Sequence, residues 1–318
     1  MKQHSHEHSA RAMKELLGIS RSGYYRWRKN PQCARSRRDG ELGEEILRIY
    51  EKSHGIYGSP RIHGDLQDRG VRIARKRVAR LMREQRIRGV CRRRRKPRTT
   101  NSDHANPIAP TVAKEMRPQA IDELWVSDLP YVRTQGGWAY LACVMDAYSR
   151  RIVGWSVKEH MKSDLVIEAL DQALKRRRPP VGLIHHSDRG CQYASQQYRQ
   201  ALSEGHIRAS MSRRANPYDN AKMESFFATL KSESLDRTTL FDVEDVRAKV
   251  FAYVEGFYNS SRRHTSLGGK SPKSFEETAN FSSPSGEENS RPTASLLENQ
   301  DQQSVSYTHL TLPTTPYV

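Results

Sequence analysis

The order of apolar runs in the second half of the chain limits the fold more than any other feature. Residues 124–132, 137–145 and 151–157 are rich in β-branched and aromatic side chains, and short Gly-, Ser- and Arg-containing turns separate them. Such runs predict an antiparallel meander. A helix over 163–176 follows, with Leu165, Val166, Ala169, Leu170, Ala173 and Leu174 on one face, and Pro179-Pro180 ends it. Next comes a strand over 181–188, then helices over 195–204, 218–235 and 243–258. A meander followed by alternating helix and strand predicts an α/β fold, a mixed sheet flanked by helices. Trp125, Trp138 and Trp155 are expected in its core.

Charge divides the 318 residues into two parts. Residues 1–100 carry 28 Lys and Arg against 10 Asp and Glu, whereas the remainder holds 26 of each, so the whole net charge of +18 is N-terminal. A cationic region joined to a neutral one points to a nucleic-acid partner, because Lys and Arg displace counterions from phosphates. Within it, residues 11–28 predict two short helices around Gly18 with Ser20 as N-cap, the size of a helix-turn-helix. A second pair is expected at 60–67 and 74–86. In the latter, Val78, Leu81 and Met82 form the buried stripe, and Arg75, Lys76, Arg80 and Arg83 face outward as phosphate contacts. Arg92, Arg93, Arg94, Arg95 and Lys96 then form a basic arm. The reading is therefore a basic all-α DNA-binding region over 1–98, a linker over 99–120, a catalytic core over 121–280 and a disordered tail over 281–318.

Three acids stand out. Asp128 interrupts the first strand, Asp188 ends the strand at 181–188, and Glu224 lies on the helix that follows, with 35 residues between the last two. Hard oxygen ligands on strand ends and a helix suit Mg²⁺ or Mn²⁺, which leave positions open for phosphate oxygens and water. Asp219 and Asn220, in the first turn of that helix, are expected as caps rather than ligands. His185 and His186 fall on opposite faces of a strand and do not share a metal, so they and His206 are given structural roles. The four cysteines, Cys33, Cys91, Cys143 and Cys191, have no CxxC or zinc spacing and are expected as reduced thiols of an intracellular protein. No run approaches the roughly 18 apolar residues that a bilayer span needs, and the polar N-terminus carries no signal peptide.

These motifs resemble the OrfB-type transposases of two-frame bacterial insertion sequences, which have a retroviral-integrase-like core. The resemblance rests on Trp-Val-Ser-Asp (125–128), Asp146 with Ser149-Arg150-Arg151-Ile-Val-Gly-Trp (149–155), and His-Ser-Asp-Arg-Gly-Cys-Gln-Tyr (186–193). It continues through Tyr-Asp-Asn-Ala-Lys-Met-Glu-Ser-Phe-Phe (218–227) and Tyr-Asn-Ser-Ser-Arg-Arg-His-Thr-Ser-Leu-Gly (258–268). Upstream, Gly-Ile-Ser-Arg-Ser-Gly-Tyr-Tyr (18–25) and Tyr-Gly-Ser-Pro-Arg-Ile (57–62) also match, so that about residues 11–280 are covered.

The resemblance implies a ribonuclease-H-like core with Asp128, Asp188 and Glu224 as catalytic carboxylates around two metal ions. Lys231, on the same helical face as Glu224, is implied near the DNA. DNA ends and target DNA, an OrfA partner or frameshift fusion, a homo-oligomer on DNA and a bacterial cytoplasmic, nucleoid-bound location are implied as well. A nuclease that cuts without joining and an inactive DNA-binding remnant are the alternatives. Leu129-Pro130 departs from the family's Ile-Thr beside the first aspartate. Pro130 cannot donate to a ladder, so a bulge or an edge is expected there. Residues 305–315 look like a translated sequencing-library adapter and are left out of the fold reading.

Overall fold

The computed structural model describes residues 10–18, 20–29, 33–91, 107–113, 116–212 and 220–282. The basic arm at 92–96, Asp219 and the adapter-like 305–315 lie outside them. Two short helices, α1 (Ala10–Leu17) and α2 (Arg21–Lys29), open the chain. Ser20 caps α2 as expected, with its Oγ accepting from Gly23 N at 3.1 Å. Then come α3 (Ala34–Lys52), α4 (Ser59–Asp68, with a proline in its first turn) and α5 (Arg75–Glu84). Val78, Leu81 and Met82 of α5 are buried as their spacing predicts.

The sheet contains β1 (Leu124–Asp128), β2 (Tyr131–Arg133), β3 (Trp138–Asp146), β4 (Ile152–Lys158), β5 (Ile184–Ser187) and β6 (Arg208–Met211). Strands β1 and β4 pair antiparallel with β3, and β5 and β6 extend the sheet in parallel from β1. This is the expected meander followed by parallel crossovers. One face is covered by α6 (Ser163–Arg177) and α7 (Gln196–Glu204), around Trp125, Val144 and Leu165. Gly154 makes the close approach of β4 to α6 possible, since a Cβ there would lie 2.0 Å from Ala169 O.

The other face packs on α8 (Ala221–Glu233) and α9 (Val243–Tyr253), which runs on as a π-turn over Val254–Tyr258; α10 (Pro272–Ser282) closes the described chain. Its hydrophobic cluster also takes in Leu42, Ile46 and Ile49 of α3, Ile62 and Leu66 of α4, and the α5 stripe. The basic helical region and the sheet therefore share one core and belong to one compact unit. Polar ties cross the same junction. Tyr57 OH donates to Ser261 O at 3.2 Å, and Arg263 pairs with both Asp65 and Asp68 of α4. Part of the expected linker is also placed: Thr111 Oγ1 donates to Met211 O, and Val112 N and Ala113 N to Ser210 Oγ, so residues 107–113 lie along β6. Covering an edge strand in this way satisfies polar groups that would otherwise face water.

Three expectations are corrected. Trp138 is not in the core: it is 49% exposed and meets Tyr131 edge-on, whereas Trp125 and Trp155 are buried. Of the bulge or edge expected at Pro130, the structure has the edge and not the bulge: β2, which follows it, ends the strand order and pairs with β3 alone. Asp128 pairs with Cys143 and Tyr131 with Tyr140, so β2 continues β1 in unbroken register, and Pro130 O still accepts from Leu141 N at 3.0 Å. Only the return bond is missing, because proline has no N–H. Asn220 stands at the N-cap position of α8 but its side chain makes no cap bond; its Nδ2 donates to Ser127 O at 3.2 Å.

Candidate active site

Register brings the first two acids together. Strand β5 pairs with β1 at a constant offset, Leu124 with Ile184 through Val126 with His186. Two residues further on, the same offset sets Asp128 level with Asp188, at the ends of parallel neighbours about 4.8 Å apart. Helix α8 packs against β1, and the Asn220 tether holds its start at the residue before Asp128. Glu224 sits one turn into that helix and is exposed.

Backbone amides hold the two aspartates in place. Leu129 N donates to Asp128 Oδ1, and Gly190 N to Asp188 Oδ1, each at 2.9 Å. Withdrawal from water raises the Asp128 carboxyl to about 7, and the negative charges of Asp188 and Glu224 push in the same direction. The Leu129 amide and the Lys231 ammonium oppose that shift without cancelling it. The three acids thus share one electrostatic field, with Lys231 as the cation that opposes it at Asp128. Among the described residues no three His, Cys, Asp or Glu side chains form a ready-made metal cage. An open arrangement fits Mg²⁺, which is held by one or two carboxylates while phosphate and water complete its shell.

Lys231 lies beside the same strand end. Its Nζ donates to Tyr131 O at 3.2 Å and stands 5.8 Å from the Tyr131 ring centroid. The histidines are placed elsewhere. His185 Nε2 is 2.7 Å from Ser127 Oγ and 3.0 Å from Tyr198 OH, on the α7 face. His186 contacts Ser210 Oγ and Ser212 Oγ on β6. Both rings are buried and satisfied. Burial first, and then the neighbouring His186, push the His185 pKa down to about 3. His206 sits in a left-handed turn at φ 52°. All four thiols are free, and Cys33 accepts from Ser36 N at the start of α3.

On α5, Arg75, Lys76 and Arg83 face solvent as expected. Arg80 does not stand free: it pairs with Asp39 of α3 at 2.7 Å and with Glu84 at 2.6 Å. Asp39 draws its charge into the α3–α5 contact and Glu84 pairs with it along α5, which weakens its case as a phosphate ligand. The sequence reading missed Asn220 as a tether, and no local signal could have shown it, because its acceptor lies 93 residues away.

A ribonuclease-H-like sheet with acids gathered at its parallel strand ends, fronted by a basic helical unit, defines an integrase-type core. Comparison with known proteins agrees. The family described as "Integrase core domain" matches over residues 118–217 and a second of that description over 205–272, and an "HTH-like domain" matches over 37–95. That last match spans α3 to α5 and leaves out the α1–α2 pair. A Shigella sonnei protein, "Insertion element IS600 uncharacterized 31 kDa protein", is 43% identical over 83% of this chain and 97% of its own length. "Transposase InsF for insertion sequence IS3A" of Escherichia coli is 36% identical over 87% of this chain and 96% of its own. The chain belongs to the insertion-sequence transposases with an integrase-like core, and its function is DNA transposition.

Among solved structures, a chain of the simian T-cell lymphotropic virus intasome aligns over 80% of both chains at 16% identity and TM-score 0.44. The HTLV-2 integrase catalytic core in complex with magnesium aligns over 50% of this chain at 18% identity and TM-score 0.40. Membership of this family makes the protein a DNA-binding polynucleotidyl transferase. Among the described residues, no helix is long and apolar enough to cross a membrane.

Proposed function

We propose that Asp128, Asp188 and Glu224 are the catalytic carboxylates of DNA strand cleavage and strand transfer at the ends of an insertion sequence. The observation that carries this reading is the register that sets Asp128 level with Asp188 at the ends of parallel strands, with the helix that bears Glu224 packed against β1. Three carboxylates converging at a strand end suit two Mg²⁺ or Mn²⁺ ions bound together with a phosphate. When bound, such ions neutralise the phosphate and favour deprotonation of the attacking hydroxyl.

The side chains then have separate tasks. Asp128 and Asp188 supply oxygens fixed by the Leu129 and Gly190 amides, and Glu224 supplies a third from the helix. Lys231 offers its ammonium to the DNA next to Asp128. Arg75, Lys76, Arg83 and the arm Arg92–Lys96 hold the duplex backbone, with Arg80 contributing least. Water first frees a 3′-hydroxyl at the element end, and that hydroxyl then attacks a phosphodiester of the target. The active form is a homo-oligomer on DNA, joined by an OrfA partner or fused to it.

The test incubates purified protein with a terminal-repeat duplex and Mg²⁺ or Mn²⁺. Joined products support this reading, nicks alone support a nuclease, and a shifted but uncut band supports an inactive remnant. Asp188→Asn should lower cleavage at least about a thousandfold, several kcal/mol of lost charge stabilisation, with duplex binding retained. Cleavage by this variant at the wild-type rate refutes the assignment.

A further inference from the structure

A second polar feature lies on the other side of α8. At about 100° per residue, Lys222 and Glu224 stand about 200° apart around that helix. The buried stripe of Met223, Phe226, Phe227 and Leu230 separates them. Whereas Glu224 turns toward the acids, Lys222, Ser225, Thr229 and Ser232 line a cavity of about 630 Å³. Four residues from stretches singled out in the sequence meet there, none of them part of the carboxylate site: Arg61 from 57–62, Arg150 from 149–155, Lys222 from 218–227 and Arg262 from 258–268.

The charges in this cavity do not balance. Glu233 is its one carboxylate among the described residues. It is fully engaged, accepting from Arg262 Nε and Nη2 at 2.7 Å each, Arg61 Nη1 at 3.1 Å and Tyr253 OH at 2.7 Å. Lys222 Nζ donates to a neutral acceptor, Ala147 O, at 2.9 Å, and an ammonium has two further hydrogens to give. Burial and Arg150 work against its charge, and the Asp146 carboxylate offsets them only in part. Arg150 N donates to Asp146 O at 2.9 Å, but its guanidinium makes no hydrogen bond or ion pair among the described residues, although the residue is partly buried and its backbone is held at φ 63°. Burial works against its charged form. The field reaches His264 at the cavity rim, where burial first, then Arg262, Arg61 and Arg150, drive the imidazole to its neutral form. Gly58 and Pro60, where α4 begins, also line the cavity, so that helix's positive end adds to the same field. A half-buried cation without a partner is costly, and a bound anion removes that cost.

We propose that this cavity binds a backbone phosphate of the DNA, with Arg150 and Lys222 as its contacts. The proposal rests on the reading of the chain as a DNA strand-transfer enzyme and adds a site to it. The outer face of α8 between the two sites carries Ala221, Ser225 and Ala228, small side chains over which a strand can pass closely. One helix diameter, about 10 Å, corresponds to roughly three nucleotides of rise along one strand. The cavity would therefore hold a phosphate about that far from the one being cut and fix the strand across the carboxylates.

Full-length wild-type protein, Arg150→Gln, Lys222→Gln and the control Arg247→Gln (an exposed arginine paired with Glu244) are titrated with labelled terminal-repeat and scrambled duplexes at several salt concentrations. Each cavity variant should bind both duplexes about three- to tenfold more weakly, and should lower the salt slope by about 0.9, the value for one phosphate contact. The control should match wild type, and Arg150→Gln should melt at or above the wild-type temperature because it loses an unpaired buried charge. Unchanged slopes in both cavity variants overturn the proposal while leaving DNA binding intact. A fall in melting temperature that accompanies the weaker binding of both variants makes the residues structural and overturns it too. Inorganic phosphate that raises the melting temperature of wild type but not of Arg150→Gln, with DNA slopes unchanged, assigns a free-anion site instead. Wild type that binds neither duplex refutes the DNA reading itself, and the phosphate site with it.

Discussion

The two sides of α8 differ in sign. One faces Asp128, Asp188 and Glu224 with Lys231 as the opposing cation, and the other faces Arg61, Arg150, Lys222 and Arg262 with Glu233 as the opposing anion. Both lie at the same helix, partly withdrawn from water, and among the described residues each gathers side chains mostly of one sign. The contrast teaches that uncompensated charge can be read as a request for a ligand of opposite sign: a cation on the first side, a phosphate on the second. It also explains how one helix serves both, because its apolar stripe insulates the two fields.

Removing an acid should therefore have opposite consequences on the two sides. The largest effect is expected for Glu233→Ala. It strips Arg262, Arg61 and Tyr253 of their shared acceptor and should cost about 3–5 kcal/mol, as breaking a buried pair does, measured by chemical denaturation. On the other side, Asp128→Asn should stabilise the metal-free protein by up to about 4 kcal/mol at pH 8, because it removes a carboxylate ionised against its surroundings. Equal destabilisation by both variants would break the comparison.

Acidity should divide the molecule next. His185 and His264 are each pushed down to about 3 by burial. The unfolded chain, with histidines near 6.5, takes up protons first as pH falls, so stability should drop below about pH 6.5 by about 1.4 kcal/mol per pH unit for each. Asp128 works the other way. Its folded carboxyl at about 7 lies above the unfolded value, so it takes up a proton between about pH 7 and 4 and adds stability as pH falls. Asp128→Asn should consequently lose stability more steeply between pH 6.5 and 5 than metal-free wild type does. Parallel curves would show that Asp128 does not titrate in that range.

The smallest effect concerns the strand next to Asp128. Pro130→Thr restores the one missing ladder donor toward Leu141 and should add about 1 kcal/mol, read as a shift in denaturation midpoint with unchanged slope. A loss of stability would mean that proline's fixed φ matters more than the bond it omits.

Much of this architecture was legible in the chain. The helices at α4 to α9 and strands β1, β3, β4 and β5 follow from apolar spacing, proline and Ser20-type caps. Helix α3 went unread because Gly40 and Gly43 interrupt its Leu42, Ile46, Ile49 stripe, and its order comes from packing against the core. The short strand β6 has too few residues to show a period. Trp138 was misplaced because an aromatic in a strand signals burial only where the sheet is covered, and at the first residue of β3 it is left half exposed against Tyr131.

The chain's local patterns carry the family and the candidate residues: three acids in distinctive strand and helix settings, a cationic first hundred residues, and the motifs that mark a transposase. These are local facts, carried by residue type and by spacings within one helix or strand. Only the tertiary structure set Asp128 level with Asp188, tied Asn220 to Ser127, drew the basic helices into the same core and gathered Arg61, Arg150, Lys222 and Arg262 around one cavity. The reason is that strand register and helix packing couple residues tens to hundreds of positions apart, and no local periodicity records which distant partner a side chain will meet.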